Sequence, residues 1–138
     1  MKITTGILFT LLLMTYSCDN FVDHVYSIKV KNNTSHDIQV TPGLGPIYMS
    51  SYHDTAISES KPHFLSIAPN DYGYLDYSEK WENVFPRLPA DTLSIYIFST
   101  DTLKAYDWSK IRSGYKVLKR YDLSLDDLRK SNWTITYP

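Results

Sequence analysis

The chain has 138 residues, 14 basic and 15 acidic side chains and a formal net charge of −1 at pH 7. That is one ordinary domain with acids and bases interspersed, which excludes a basic nucleic-acid surface and an acidic tail. A single cysteine leaves no intramolecular disulfide to form, so stability must come from the core alone.

The first eighteen residues carry an address. Lys2 supplies a positive start, Ile3 to Met14 is almost wholly apolar, and Thr15-Tyr16-Ser17 leads into Cys18. This is the layout of a bacterial secretory signal ending at a lipid-modified cysteine. The apolar run is too short for the ~20 residues a spanning helix needs. Lipidation also removes an unpaired thiol from an oxidising compartment, because the sulfur becomes a thioether and the new amino terminus is acylated, palmitate being a typical chain. Each buried methylene contributes ~0.8 kcal/mol, so two or more chains anchor stably. Residues 1–17 are expected to be a signal peptide, 18–25 the lipidated Cys18 with a short spacer, and 26–138 a β-rich globular domain.

Tyr26, Ile28 and Val30 alternate with Ser27 and Lys29, the period of a half-buried strand. Asn32-Asn33-Thr34-Ser35 is a turn cluster and Ile38 and Val40 resume the alternation, so an opening antiparallel hairpin is expected. Thr41 to Pro46 breaks the pairing, and Ile47 to Ser51 reads as a weak strand before a loop. Phe64 to Ile67 is a short strand stopped by Ala68-Pro69-Asn70-Asp71, and Gly73 to Tyr77 can pair nearby. Ser78 to Phe85 allows one or two helical turns with Ser78 as N-cap and Trp81 and Phe85 on one side.

Thr92 to Ser99 is the strongest strand. Leu93, Ile95 and Ile97 point one way and Tyr96 and Phe98 the other, which predicts burial on both faces at a sheet centre. Asp107 is expected to cap a short helix through Ile111, ended by Gly114 in a left-handed conformation. Tyr115 to Tyr121 reads as a strand. Ser124 and Asp127 form a capping-box pattern opening a helix to about Lys130, and Trp133, Ile135 and Tyr137 alternate to the end. Strands with brief helical turns between them predict a mainly β, antiparallel β-sandwich-like single domain with two or three short helices.

The runs Asp101-Thr102-Leu103-Lys104 to Tyr106-Asp107-Trp108, Tyr115-Lys116-Val117-Leu118-Lys119-Arg120-Tyr121-Asp122-Leu123-Ser124 and Trp133-Thr134-Ile135-Thr136-Tyr137-Pro138 resemble a family of small uncharacterised Bacteroidetes lipoproteins. About a third of the chain carries the likeness, and the Ser17-Cys18 ending also resembles looser lipoboxes of that group. The expected location is the outer membrane; the resemblance implies an envelope protein with a β-rich domain. It brings no known activity or functional residues. Asp19 directly after Cys18 is an inner-membrane signal by the enterobacterial sorting rule, so the leaflet stays open.

No motif supplies catalysis. His24, His36, His53 and His63 lack ligand spacing, and His53-Asp54 is the nearest approach to a pair. Nucleophile elbows and glycine-rich phosphate loops are missing, Asp126-Asp127 suits a helix's first turn, and no catalytic residue, metal or cofactor is expected. Twelve tyrosines are the compositional oddity. Tyr48, Tyr52, Tyr72, Tyr74, Tyr77 and Trp81 either roof the core or form a ligand platform, with Tyr72, Tyr74 and Trp81 as the candidate binding residues. Thr55, Thr92 and Thr102 follow Asp and precede an apolar residue, a pattern resembling the O-glycosylation acceptor of Bacteroidetes exported proteins. It is equally the chemistry of a strand start. The expected function is a non-enzymatic, lipid-anchored envelope protein that binds a protein partner or helps build an envelope assembly; the alternative is a glycan-binding accessory module.

Overall fold

Alternation makes β1 (Tyr26–Asn32) two-faced: Ile28 and Val30 are fully buried, while Ser27, Lys29 and Lys31 occupy the other face. The computed structural model describes residues 25–43 and 57–138. The signal peptide expected at residues 1–17, Cys18, the strand expected at Ile47 to Ser51, and Tyr48, Tyr52, His24, His53 and Thr55 lie outside the described residues.

Among the described residues seven strands form two sheets. One sheet runs in the order β4 (Tyr72–Tyr77), β1, β7 (Thr134–Tyr137). The other runs β3 (Leu65–Ile67), β2 (Ile38–Pro42), β5 (Leu93–Ser99), β6 (Lys119–Leu123). Ile28, Val30, Ile38, Val40, Ile67, Leu93, Ile95, Ile97 and Ile135 meet between them. Fully burying each such side chain contributes about 1.5–3 kcal/mol. The molecule is therefore a mainly β, sandwich-like domain with short helices, as its alternation predicts.

β5 lies between β2 and β6, and all six residues from Leu93 to Phe98 are buried. Its even side chains leave the sandwich and build a second core. There Tyr96 and Phe98 meet Ile57 and Ile111, with Phe64, Leu103, Trp108 and Val117 packed around them. Helices α2 (Thr100–Ala105) and α3 (Trp108–Ser113) thus cover the outside of this sheet. Phe98 sits in an aromatic cluster, its ring centre 5.5 Å from Phe64 and 5.8 Å from Trp108.

Several expectations are corrected. β1 and β2 do not form a hairpin: β1 pairs with β4 and β7, and β2 with β3 and β5. The connecting turn crosses from sheet to sheet, held by the buried Asn32 side chain. Its Nδ2 donates to the carbonyls of His36, Ile67 and Ala68, and its Oδ1 accepts from Thr34. Alternation specifies a strand and its faces but not its neighbour. The β1–β7 pair is parallel, in an otherwise antiparallel domain.

Helix α1 (Trp81–Val84) begins after Lys80 with no side-chain cap, so Ser78 is not its N-cap. Asp107 precedes α3 without a side-chain cap bond, and Gly114 has φ −91°; the left-handed residue is Tyr115, at φ 44°. That turn delays the strand expected at Tyr115, which starts at Lys119 and runs to Leu123. α2 was not anticipated; the Ser99 hydroxyl accepts the Thr102 N–H at its start. Ser124 and Asp127 do form the capping box that opens α4 (Leu125–Lys130).

Candidate interaction surface

The β4-β1-β7 sheet has one face in the core and one toward solvent, and the second carries the candidate site. Register places Tyr74, Lys29 and Thr134 in one row across it and Tyr72, Lys31 and Thr136 in the next. Tyr72 and Tyr74 are 50% and 48% exposed, unlike the inward Leu75 and Tyr77 of the same strand. Their rings meet edge to face, 5.6 Å apart at 76°. Lys29 Nζ stands 3.9 Å from the Tyr72 ring centre.

Gly73 lets this strand sit close to the opposite sheet, since a Cβ there would lie 2.9 Å from Leu65 Cδ2. Carboxylates flank the platform and are themselves engaged. Asp76 accepts the Ser27 hydroxyl at 2.6 Å, and Asp71 accepts the Tyr72 N–H at 2.8 Å. The face therefore offers aromatic rings, ammonium groups and threonine hydroxyls on a flat support.

Trp81 does not join Tyr72 and Tyr74. It is 3% exposed, stacked on Tyr77 at 5.1 Å and set against Phe85 in the core. Its indole N–H is buried without an acceptor. The four-residue spacing to Phe85 reads correctly as a shared side, but a core side. Lys29 and Lys31 are the platform residues that sequence reasoning missed. Their outward positions on β1 were legible; their alignment with Tyr74 and Tyr72 required the register.

Thr92 lies just before β5, its hydroxyl donating to the Ala90 carbonyl at 2.8 Å, whereas Thr102 is inside α2 rather than at a strand start. His36 and His63 are exposed. Asp127 belongs to the α4 capping box and Asp126 pairs with Arg129 at 3.6 Å. Among the described residues no group of three His, Cys, Asp or Glu side chains is placed to hold a metal ion, and no helix is long and apolar enough to cross a membrane.

Further exposed side chains lie around α2, α3 and the start of β6. Tyr106 and Tyr115 are 45% and 43% exposed and Leu118 is 49% exposed. Lys116 Nζ stands 4.5 Å from the Tyr106 ring centre. Burial disfavours the charged form of nearby Arg120, but hydrogen bonds from it to Asp122 and Tyr115 outweigh that cost and raise its pKa.

No family model, curated protein or solved structure matches the chain.

Proposed function

We propose that this chain is a non-enzymatic binding module of the bacterial cell envelope, held to the outer membrane by acyl chains on Cys18. It engages an envelope partner through the outer face of the β4-β1-β7 sheet. The supporting observation is the pair of half-exposed tyrosines aligned with Lys29 and Lys31. Tyrosine supplies large contact area at low entropic cost, which is why it is enriched where proteins meet partners.

Affinity capture of the tagged full-length protein from membranes tests this reading. A partner retained by the wild type and lost with the double variant Tyr72→Ala/Tyr74→Ala supports it; identical capture by both refutes the surface. Cys18→Ser should also block processing and release the protein from the membrane fraction.

Glycan binding is the second reading, resting on the exposure of the two rings. At 76° the two tyrosines cannot both lie flat under one sugar, so one stacks while the other contacts the sugar's edge. Calorimetric titration with soluble oligosaccharides separates the readings, because a protein-binding face gives no heat with any of them. Trp81 fluorescence is a poor reporter, since that ring is in the core.

A further inference from the structure

We infer that one end of the sandwich carries a cleft for a small zwitterion, a short peptide with free amino and carboxyl ends. The cleft has a volume of about 430 Å³, within the ~300–1,000 Å³ of small-molecule sites. Connections from both sheets build it: the β1–β2 turn, the β3–β4 turn at Pro69, the start of α2 and the end of β7 at Tyr137. None of Lys29, Lys31, Tyr72 and Tyr74 lines it, so the cleft is a site apart from the tyrosine platform.

The frame of the cleft is fixed by hydrogen bonds. The Asn33 N–H donates to the Tyr137 carbonyl at 2.7 Å, tying the β1–β2 turn to β7. The Asn70 N–H donates to the Thr34 carbonyl at 3.2 Å, and the Thr100 hydroxyl to the Asp37 carbonyl at 3.2 Å, tying the same turn to β3–β4 and to α2. These bonds use backbone groups and a hydroxyl and leave the charged side chains uncommitted. His36, Asp37, Asp101 and Lys104 all line the cleft, and among the described residues none of their side chains makes a hydrogen bond or ion pair.

Two carboxylates and an ammonium thus border one cavity without neutralising each other. A simple anion entering it would meet Asp37 and Asp101, and a simple cation would meet Lys104. A ligand carrying both signs satisfies both walls, its ammonium toward the aspartates and its carboxylate toward the lysine. The half-exposed Leu118, with Pro69, offers apolar contact to the carbon skeleton between those ends. His36, Asp37 and Asp101 are not placed to hold a metal ion together. Because the frame is already ordered, a ligand has little of it to organise on entry.

The test is a titration of the full chain with dialanine, followed by the amide NMR shifts of residues 34–37 and 99–104. A ligand of about ten non-hydrogen atoms is expected to bind with a dissociation constant of about 1 mM. N-acetyl-dialanine lacks the ammonium and dialanine amide lacks the carboxylate, and each should bind about tenfold more weakly. Lys104→Gln should erase the difference between dialanine and its amide. Asp37→Asn/Asp101→Asn should erase the difference between dialanine and its N-acetyl form. All three positions are exposed and unpaired, so these variants keep the fold. Absence of saturable shifts at about 10 mM dialanine overturns the inference. So does equal affinity for the free and blocked peptides, or discrimination that survives the variants. Shifts at the same amides with glucose but not with dialanine identify a sugar cleft and overturn the zwitterion. Shifts confined to residues 72–74 overturn the cleft while supporting the platform of the proposed function.

Discussion

Lys29 and Tyr72 meet diagonally across the β1–β4 pair, the ammonium 3.9 Å from the ring centre, although register sets each opposite a different residue. An exposed cation–π contact contributes about 0.5–1 kcal/mol. In a double-mutant cycle of Lys29→Ala and Tyr72→Ala, urea denaturation should give a coupling of about 0.5 kcal/mol. Additive losses would mean that the pair is not formed in solution.

Asn32 should be the most sensitive polar position. It is fully buried and connects the end of β1 to carbonyls of the β1–β2 turn and of β3. Asn32→Leu retains bulk but strips acceptors of their donor, and is expected to cost about 2–4 kcal/mol. Asn33→Ala, at the exposed neighbour, should change stability by less than about 0.5 kcal/mol. Similar urea midpoints for the two variants would contradict this.

Asp127 ties stability to acid pH. The Ser124 hydroxyl and backbone N–H donate to it at 2.6 and 2.9 Å, holding its carboxyl below the ordinary value. Because the folded-state pKa is depressed, the contribution is complete above the unfolded value of about 3.9 and is lost as pH falls through the lower folded value. The stability difference between wild type and Asp127→Asn should therefore be constant from neutral pH to about 5 and shrink below about 4. A gap that stays constant through the acid range would rule out this linkage.

Trp81 carries a buried N–H with no acceptor. Trp81→Phe removes that unsatisfied donor, a gain of about 1–3 kcal/mol that offsets the smaller ring's lost packing. The net change should stay within about 1 kcal/mol, while Trp81→Ala should cost about 3–5 kcal/mol. Comparable losses in the two variants would show that the indole N–H finds a partner in solution.

How much of this was legible depended on how local the cause was. The α4 capping box was readable because Ser124 and Asp127 satisfy each other within one turn. The double-sided burial of β5 was readable because both sets of alternating side chains are apolar or aromatic. α2 was missed because Ser99 and Thr100 continue the strand's composition, and the cap that ends the strand is a backbone contact to one hydroxyl. Trp81 was misjudged because an aromatic beside polar residues fits a platform and a core roof equally well.

Face and period were settled by the chain alone: which side chains of β1, β4 and β5 share a side follows from the two-residue repeat of extended backbone. Partnership was decided only on folding. The buried Asn32 carries the chain from one sheet to the other, β4 pairs antiparallel with β1 and sets Tyr74 beside Lys29 and Tyr72 beside Lys31, and β7 returns to pair in parallel on the other edge of β1. Neighbouring strands are chosen by the joint packing of residues far apart in the chain, and no local repeat encodes that choice.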